Sequence, residues 1–164
     1  MITPPYRRST RLCTVDDLDA RLQTLLDGYT EQHLLRDLRP SAQICCETHS
    51  VPLQQSRRGL FRGRTRAPMM VENLAAAVVT DTYVVIALVR VDGESVRLGG
   101  RLADTVLETP NPQLYGGDTG VFVHARWLGH EEASSYLLPL DSGPDGQAFL
   151  TRFRDLAAAA RTRT

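Results

Sequence analysis

NLAAAVVTDTYVVIALVRVDGESVRL, residues 73–98, carries the β pattern of this chain most openly. Apolar, β-branched runs are punctuated in it by Thr80–Asp81 and by Asp92–Gly93. Asp-Gly between such runs is a hairpin signal, because a tight hairpin turn needs residues that accept positive φ. The stretch therefore predicts consecutive antiparallel strands. Within it, YVVIALV (83–89) is apolar at every position instead of every second one. Successive side chains of a strand point to opposite faces, so both faces of this strand need cover. One face belongs to a barrel or sandwich core. The other calls for the N-terminal helix or another subunit.

Outward toward the N-terminus, AQICCETHSVPL (42–53) reads as the first strand. Before it, Thr14 precedes Asp16, Asp17 and Asp19, a helix start with acids where the helix dipole favours them. Leu18, Leu22, Leu25, Leu26, Tyr29 and Leu34 recur at spacings of three and four. That pattern predicts an amphipathic helix over 15–38, weakened at Gly28 and stopped near Pro40. Residues 1–13, with Pro4, Pro5, Arg7, Arg8 and Arg11, read as a flexible arm.

Toward the C-terminus, RLADTVLET (101–109) continues the β pattern, and PNPQLYGGDTG (110–120) is a turn-rich loop. GVFVHARWL alternates Val121, Val123, Ala125 and Trp127 against Phe122, His124 and Arg126. HEEA connects it to the strand SSYLLPL. In QAFLTRFRDLAAAA, the residues Phe149, Leu150, Phe153, Leu156, Ala157 and Ala160 make one helical stripe. The expected organisation is a flexible arm (1–13), an N-terminal amphipathic helix (14–40) and a β domain with a C-terminal helix (41–164), one domain overall.

Three phrases carry a family resemblance. LAAAVVTDTYVVIAL, SVRLGGRLADTVLET, and GVFVHARWLGHEEASSYLLPL followed by GQAFLTRFRDL resemble bacterial pleckstrin-homology-like (PH-like) domains. The resemblance covers roughly residues 42–160. It implies a mainly β fold with flanking helices: a small antiparallel β-barrel or orthogonal sandwich of about seven strands, closed by a C-terminal α-helix, with an extra N-terminal helix. Thr82-Tyr83-Val84 departs from relatives that carry a basic residue after the Thr-Asp turn. Such domains bind lipids, peptides or partner proteins, so a fold of this kind does not assign a function.

The chain has 164 residues, enough for a core without staples. Acidic and basic residues balance at 19 each, which argues against a dedicated nucleic-acid partner. Every basic side chain is Arg; the absence of Lys reads as GC-rich coding bias, as in a bacterium. It removes the P-loop, Schiff-base and kinase lysines, and with them those enzyme classes. RLGGRLAD lacks the dinucleotide-binding order, and DSGPDG has no nucleophile elbow. Cys13, Cys45 and Cys46 are odd in number with two adjacent, which cannot make a disulfide framework and suits a reducing compartment. With neither a signal-peptide core nor a membrane-length apolar run, the expected location is the cytoplasm.

The sharpest motif is RRGLFRGRTR (57–66), with Arg57, Arg58, Arg62, Arg64 and Arg66 around Leu60 and Phe61, and no acid between Glu47 and Glu72. In the resemblance it falls in the loop that presents basic residues to phosphorylated headgroups. Guanidinium groups fork onto phosphate oxygens, and Leu-Phe suits an interface. A solvated loop, or one pairing with acids of a partner subunit, is the plainer alternative. Cys45-Cys46-x-x-His49 lacks enough convergent ligands for a metal, and strand alternation splits the two thiols. No cofactor is expected. His124 and His130 flank Trp127, with Glu131 and Glu132 following; a polar sheet face is the plain reading, a catalytic pair the sharp one.

The sequence thus points to a non-catalytic interaction or scaffold module with a protein partner or self-association. Binding of an anionic membrane surface through 57–66 is the first alternative, and an enzyme the second. The enzyme would require a deep pocket joining His124 or His130 to an acid and a nucleophile.

Overall fold

A computed structural model describes residues 4–53 and 70–164. In chain order the elements are β1 (Tyr6–Leu12), a 3₁₀ turn (Val15–Asp17), α1 (Ala20–Gln32), α2 (Leu38–Ser41), β2 (Ile44–Pro52), β3 (Asn73–Val79), β4 (Tyr83–Arg90) and β5 (Ser95–Arg101). A second 3₁₀ turn (Leu102–Asp104), β6 (Val106–Glu108), β7 (Gly120–Ala125), β8 (Ser134–Pro139) and α3 (Pro144–Thr162) complete the chain. The eight strands among the described residues form two antiparallel sheets, β1-β2-β3-β4-β5 and β6-β7-β8.

The 73–98 stretch folds as its punctuation predicts. Thr80 Oγ1 accepts from the Thr82 and Tyr83 backbone N–H groups at 3.1 and 2.9 Å, fixing the β3–β4 turn. Gly93 takes φ +93° in the β4–β5 turn, a conformation open to glycine without strain. β4 is covered on both sides, as its unbroken apolar run demands. Val84 and Ile86 enter one core; Val85 and Ala87 enter the other.

The first core lies between the two sheets and is filled by α3. Phe149 and Phe153 of that helix are fully buried, their rings 5.8 Å apart, against Val79, Ile86, Val123, Trp127 and Leu138. The second core lies on the opposite face of the large sheet, where α1 lays Leu22, Leu26 and Tyr29 over Cys45, Val78 and Val85. The N-terminal helix therefore packs on its own sheet. Tyr29 lies directly on Gly99: a Cβ there would meet Tyr29 Cε1 at 2.6 Å.

Several expectations are corrected. The stretch read as a flexible arm contains β1, an edge strand paired with β2 from Tyr6↔Pro52 to Leu12↔Cys46. Its Arg and Ser content hid the alternation, because its inward face is polar and met by polar partners. The single helix over 15–38 is instead a turn and two helices. Thr14 stands at the start of the 3₁₀ turn with its hydroxyl donating to Asp17 Oδ2 at 2.8 Å, and Asp19 caps α1 by accepting from the Arg21 N–H at 2.9 Å. α1 ends at Gln32, after which Leu34 takes φ +55° and stands 92% exposed instead of joining the apolar stripe. Pro40 sits in the first turn of α2, where no N–H is needed. Arg39 ties α2 back by ion pairs to Asp16 at 2.7 Å and Asp27 at 2.8 Å.

Among the described residues the β domain expected over 41–164 holds seven strands, β2–β8, with β1 as an eighth, and they form no closed barrel. Past Arg101 the chain leaves the large sheet through the second 3₁₀ turn, and the β pattern read over 101–109 resumes only at β6, in the small sheet. Across that gap the sheets meet through the bridge Gly100↔Trp127 and the Leu128 N–H donated to Gly99 O at 2.8 Å. The architecture is a mainly antiparallel β fold of two sheets with a C-terminal helix packed into the core they share. Among the described residues no helix is long and apolar enough to cross a membrane.

Candidate functional site

The arginines Arg57, Arg58, Arg62, Arg64 and Arg66 lie outside the described residues. In the chain they fall between β2 and β3. Cys45 and Cys46 face opposite sides of the large sheet, one under α1 and one in the α3 core. His49 pairs with Glu72 at 2.6 Å. His130 is exposed beyond β7, and Glu131 and Glu132 are exposed in the connection that follows.

His124 is where chemistry converges. It stands on the outer face of the three-stranded sheet, opposite Ser135 of β8 and Val106 of β6 in the strand register. Its Nε2 lies 2.9 Å from Glu108 Oε2, and its Nδ1 is in hydrogen-bond contact with Ser135 Oγ. With Glu108 ionised, the arrangement favours a proton on Nε2, leaving Nδ1 to accept from the serine hydroxyl. The three residues come from three different strands, so only the cross-strand register brings them together. Sequence reasoning singled out His124 but had no signal for Glu108 or Ser135. An open groove of about 580 Å³ adjoins them, lined in part by Asp104, Val106, Arg126 and Ser134.

Aromatic side chains also stand beside this polar trio. Phe122 stacks toward His124 with centroids 6.3 Å apart, and Tyr115 from the 110–119 loop meets Phe122 edge-on at 4.8 Å. Val106, Leu114 and Tyr115 are exposed large hydrophobic side chains. The inner face of the same sheet, Val121, Val123, Ala125 and Leu138, is in the core. The large sheet has a core on each side; the small sheet has one on its inner side.

At the opposite border of this face a polar clamp holds the sheets together. Arg8 of β1 pairs with Asp118, their side chains only 6% and 15% exposed. Arg8 also donates to Thr119 O at 2.6 Å and to Ser50 Oγ at 3.1 Å. Asp141, just after β8, accepts from the Thr10 N–H at 2.8 Å, and Asp145 accepts from the Leu12 N–H at 3.0 Å. Two edge N–H groups of β1 are thereby closed to further strand pairing. Tyr136 sits behind the clamp, its phenol pushed up to about 12 by burial, with the Arg8 charge opposing.

Comparison with known protein families, with curated proteins and with solved structures found no match.

Proposed function

We propose that this chain is an interaction module that presents the outer face of its three-stranded sheet to a protein partner. The observation that supports the reading is the composition of that face. Tyr115, Phe122 and Val106 lie beside Glu108, His124 and Ser135, the mixture of aromatic anchors and polar groups that protein interfaces favour. A photoreactive phenylalanine analogue placed at Tyr115 tests it, with the same analogue at Arg152 on the exposed side of α3 as control. A discrete cross-linked species from position 115 alone is expected. Its mass distinguishes a second copy from a different protein. No adduct, or the same adducts from both positions, would reject this face as the interface.

A second reading is favoured by a specific observation, the contact of His124 with both an acid and a serine. In it Ser135 is an acyl-transfer nucleophile. Its Oγ bonds to the carbonyl carbon of an ester while its proton passes to His124 Nδ1; Glu108 stabilises the imidazolium, which protonates the departing alkoxide. Water then releases the carboxylic acid and restores Ser135. The groove is open where the sequence reading asked for a deep pocket, so small accessible esters are the fitting substrates. A fluorophosphonate probe should label Ser135, losing fluoride, and should fail on Ser135→Ala. An unlabelled Ser135 in the folded protein would end this reading.

A further inference from the structure

Cys13 and Cys45 are the residues that the flexible-arm reading kept apart. In the structure β1 runs antiparallel to β2 with Leu12 opposite Cys46, so one step further along the same register places Cys13 opposite Cys45. The Cys13 N–H donates to Cys45 O at 3.1 Å, which confirms that the pairing continues past the end of β1. Hydrogen-bonded antiparallel pairs hold their Cα atoms about 5.5 Å apart, inside the span that a disulfide bridges. Side chains directly opposite one another share a sheet face, and both residues belong to the core under α1, Cys45 buried and Cys13 half-buried. Cys46, one residue along, points through the sheet into the α3 core and is out of reach of both.

We infer that Cys13 and Cys45 form a peroxide-reactive dithiol site, with Cys13 the attacking thiol and Cys45 the resolving one. The division of labour follows from their surroundings. Cys13 is the more accessible of the two. Its hydrogen bond with Cys45 and the nearby Arg11 charge hold its thiol below the ordinary value, against burial and the charges of Glu47 and Asp17. The Cys45 thiol is pushed up by the same hydrogen bond and by burial, so it stays protonated until a sulfur is offered to it.

The chemistry balances with a hydroperoxide as oxidant. The Cys13 thiolate attacks one peroxide oxygen, the O–O bond breaks, and the leaving hydroxide or alkoxide takes a proton. Cys13 is now a sulfenic acid. The Cys45 sulfur attacks the Cys13 sulfur, the S–O bond breaks, and hydroxide leaves with the Cys45 proton as water. Two thiols have lost two electrons to one peroxide, and β1 is stapled to β2 beside the start of α1. The strap is placed to matter, because β1 also carries Arg8 and Thr10, which hold the large sheet to the 110–119 loop and to Asp141.

Reduced full-length protein treated with hydrogen peroxide, then mapped by mass spectrometry without reduction, tests the assignment. The expected result is a loss of about 2 Da, the two thiol hydrogens, located in a cross-linked peptide pair holding Cys13 and Cys45. Cys46 should remain a free thiol that alkylates only after unfolding. In Cys45→Ser, Cys13 should accumulate as a sulfenic acid trapped by dimedone; in Cys13→Ser, neither disulfide nor trapped sulfenic acid should form at Cys45. Wild-type protein in which Cys13 proceeds to sulfinic acid while Cys45 stays alkylatable would overturn the proposal. So would a disulfide between different molecules, or no change at peroxide levels that oxidise free cysteine.

Discussion

Arg8 shows how much of this fold rests on polar side chains facing inward. A guanidinium only 6% exposed is tolerable because Asp118, Thr119 O and Ser50 Oγ surround it. Removing one partner leaves the other charge buried, which typically costs about 3–5 kcal/mol, whereas replacing both by apolar groups can be close to neutral. Arg8→Met should therefore lower stability by about that amount, and Arg8→Met/Asp118→Leu should recover most of it. Urea titrations of the three proteins check this; a double variant no better than the single would contradict it. Tyr136 adds a pH signature from the same region. Its phenol ionises near about 10 in an unfolded chain and is pushed up to about 12 in the fold. A raised folded value means the contribution is complete below the unfolded value and is lost as pH rises through the folded one. Melting temperature should fall between those two values, and Tyr136→Phe should flatten that fall.

At the scale of elements, α1 is fixed to the large sheet by a contact that only glycine permits. Because a Cβ at Gly99 would stand 2.6 Å from Tyr29 Cε1, Gly99→Ala must displace the ring or lift the helix. Overpacking of this kind costs about 1–3 kcal/mol. Gly99→Ala/Tyr29→Leu, with the ring gone, should regain part of the loss, and equal stability of single and double variants would show that the ring is not the obstacle. This close approach was illegible in RLGGRLAD, where the glycines signalled only what they were not. The hairpins of 73–98 and the stripe of α3 were legible because turn chemistry and apolar period are local. β1 was not, since YRRSTRL has no apolar face to reveal its period; its inward residues are answered by Ser50, Thr48, Asp118 and Asp141, all distant in the chain. The same limit hid Ser135 and Glu108 from His124, and Cys13 from Cys45. Each pairing exists only through strand register.

At the scale of the whole molecule, two cores share one sheet. The α3 core holds Phe153 and the single tryptophan, Trp127; the α1 core holds Leu22; β3 and β4 contribute alternate residues to both. Shared strands couple the cores, since losing the packing on one face removes support for the other. Single domains under about 150 residues usually unfold in one cooperative step, and coupled cores extend that behaviour to this slightly longer chain. Phe153→Ala should destabilise by about 3–5 kcal/mol and Leu22→Ala by about 2–5 kcal/mol, the range for emptied core positions. Trp127 fluorescence reports the α3 core alone, whereas far-ultraviolet circular dichroism reports every helix and strand. Leu22 lies in the other core, so coupling predicts that Leu22→Ala shifts the fluorescence and dichroism transitions to the same lower denaturant concentration. A dichroism transition that moves while the Trp127 transition stays in place would mean that α1 and its core detach first. The large sheet and α3 would then form the stable nucleus to which α1 docks.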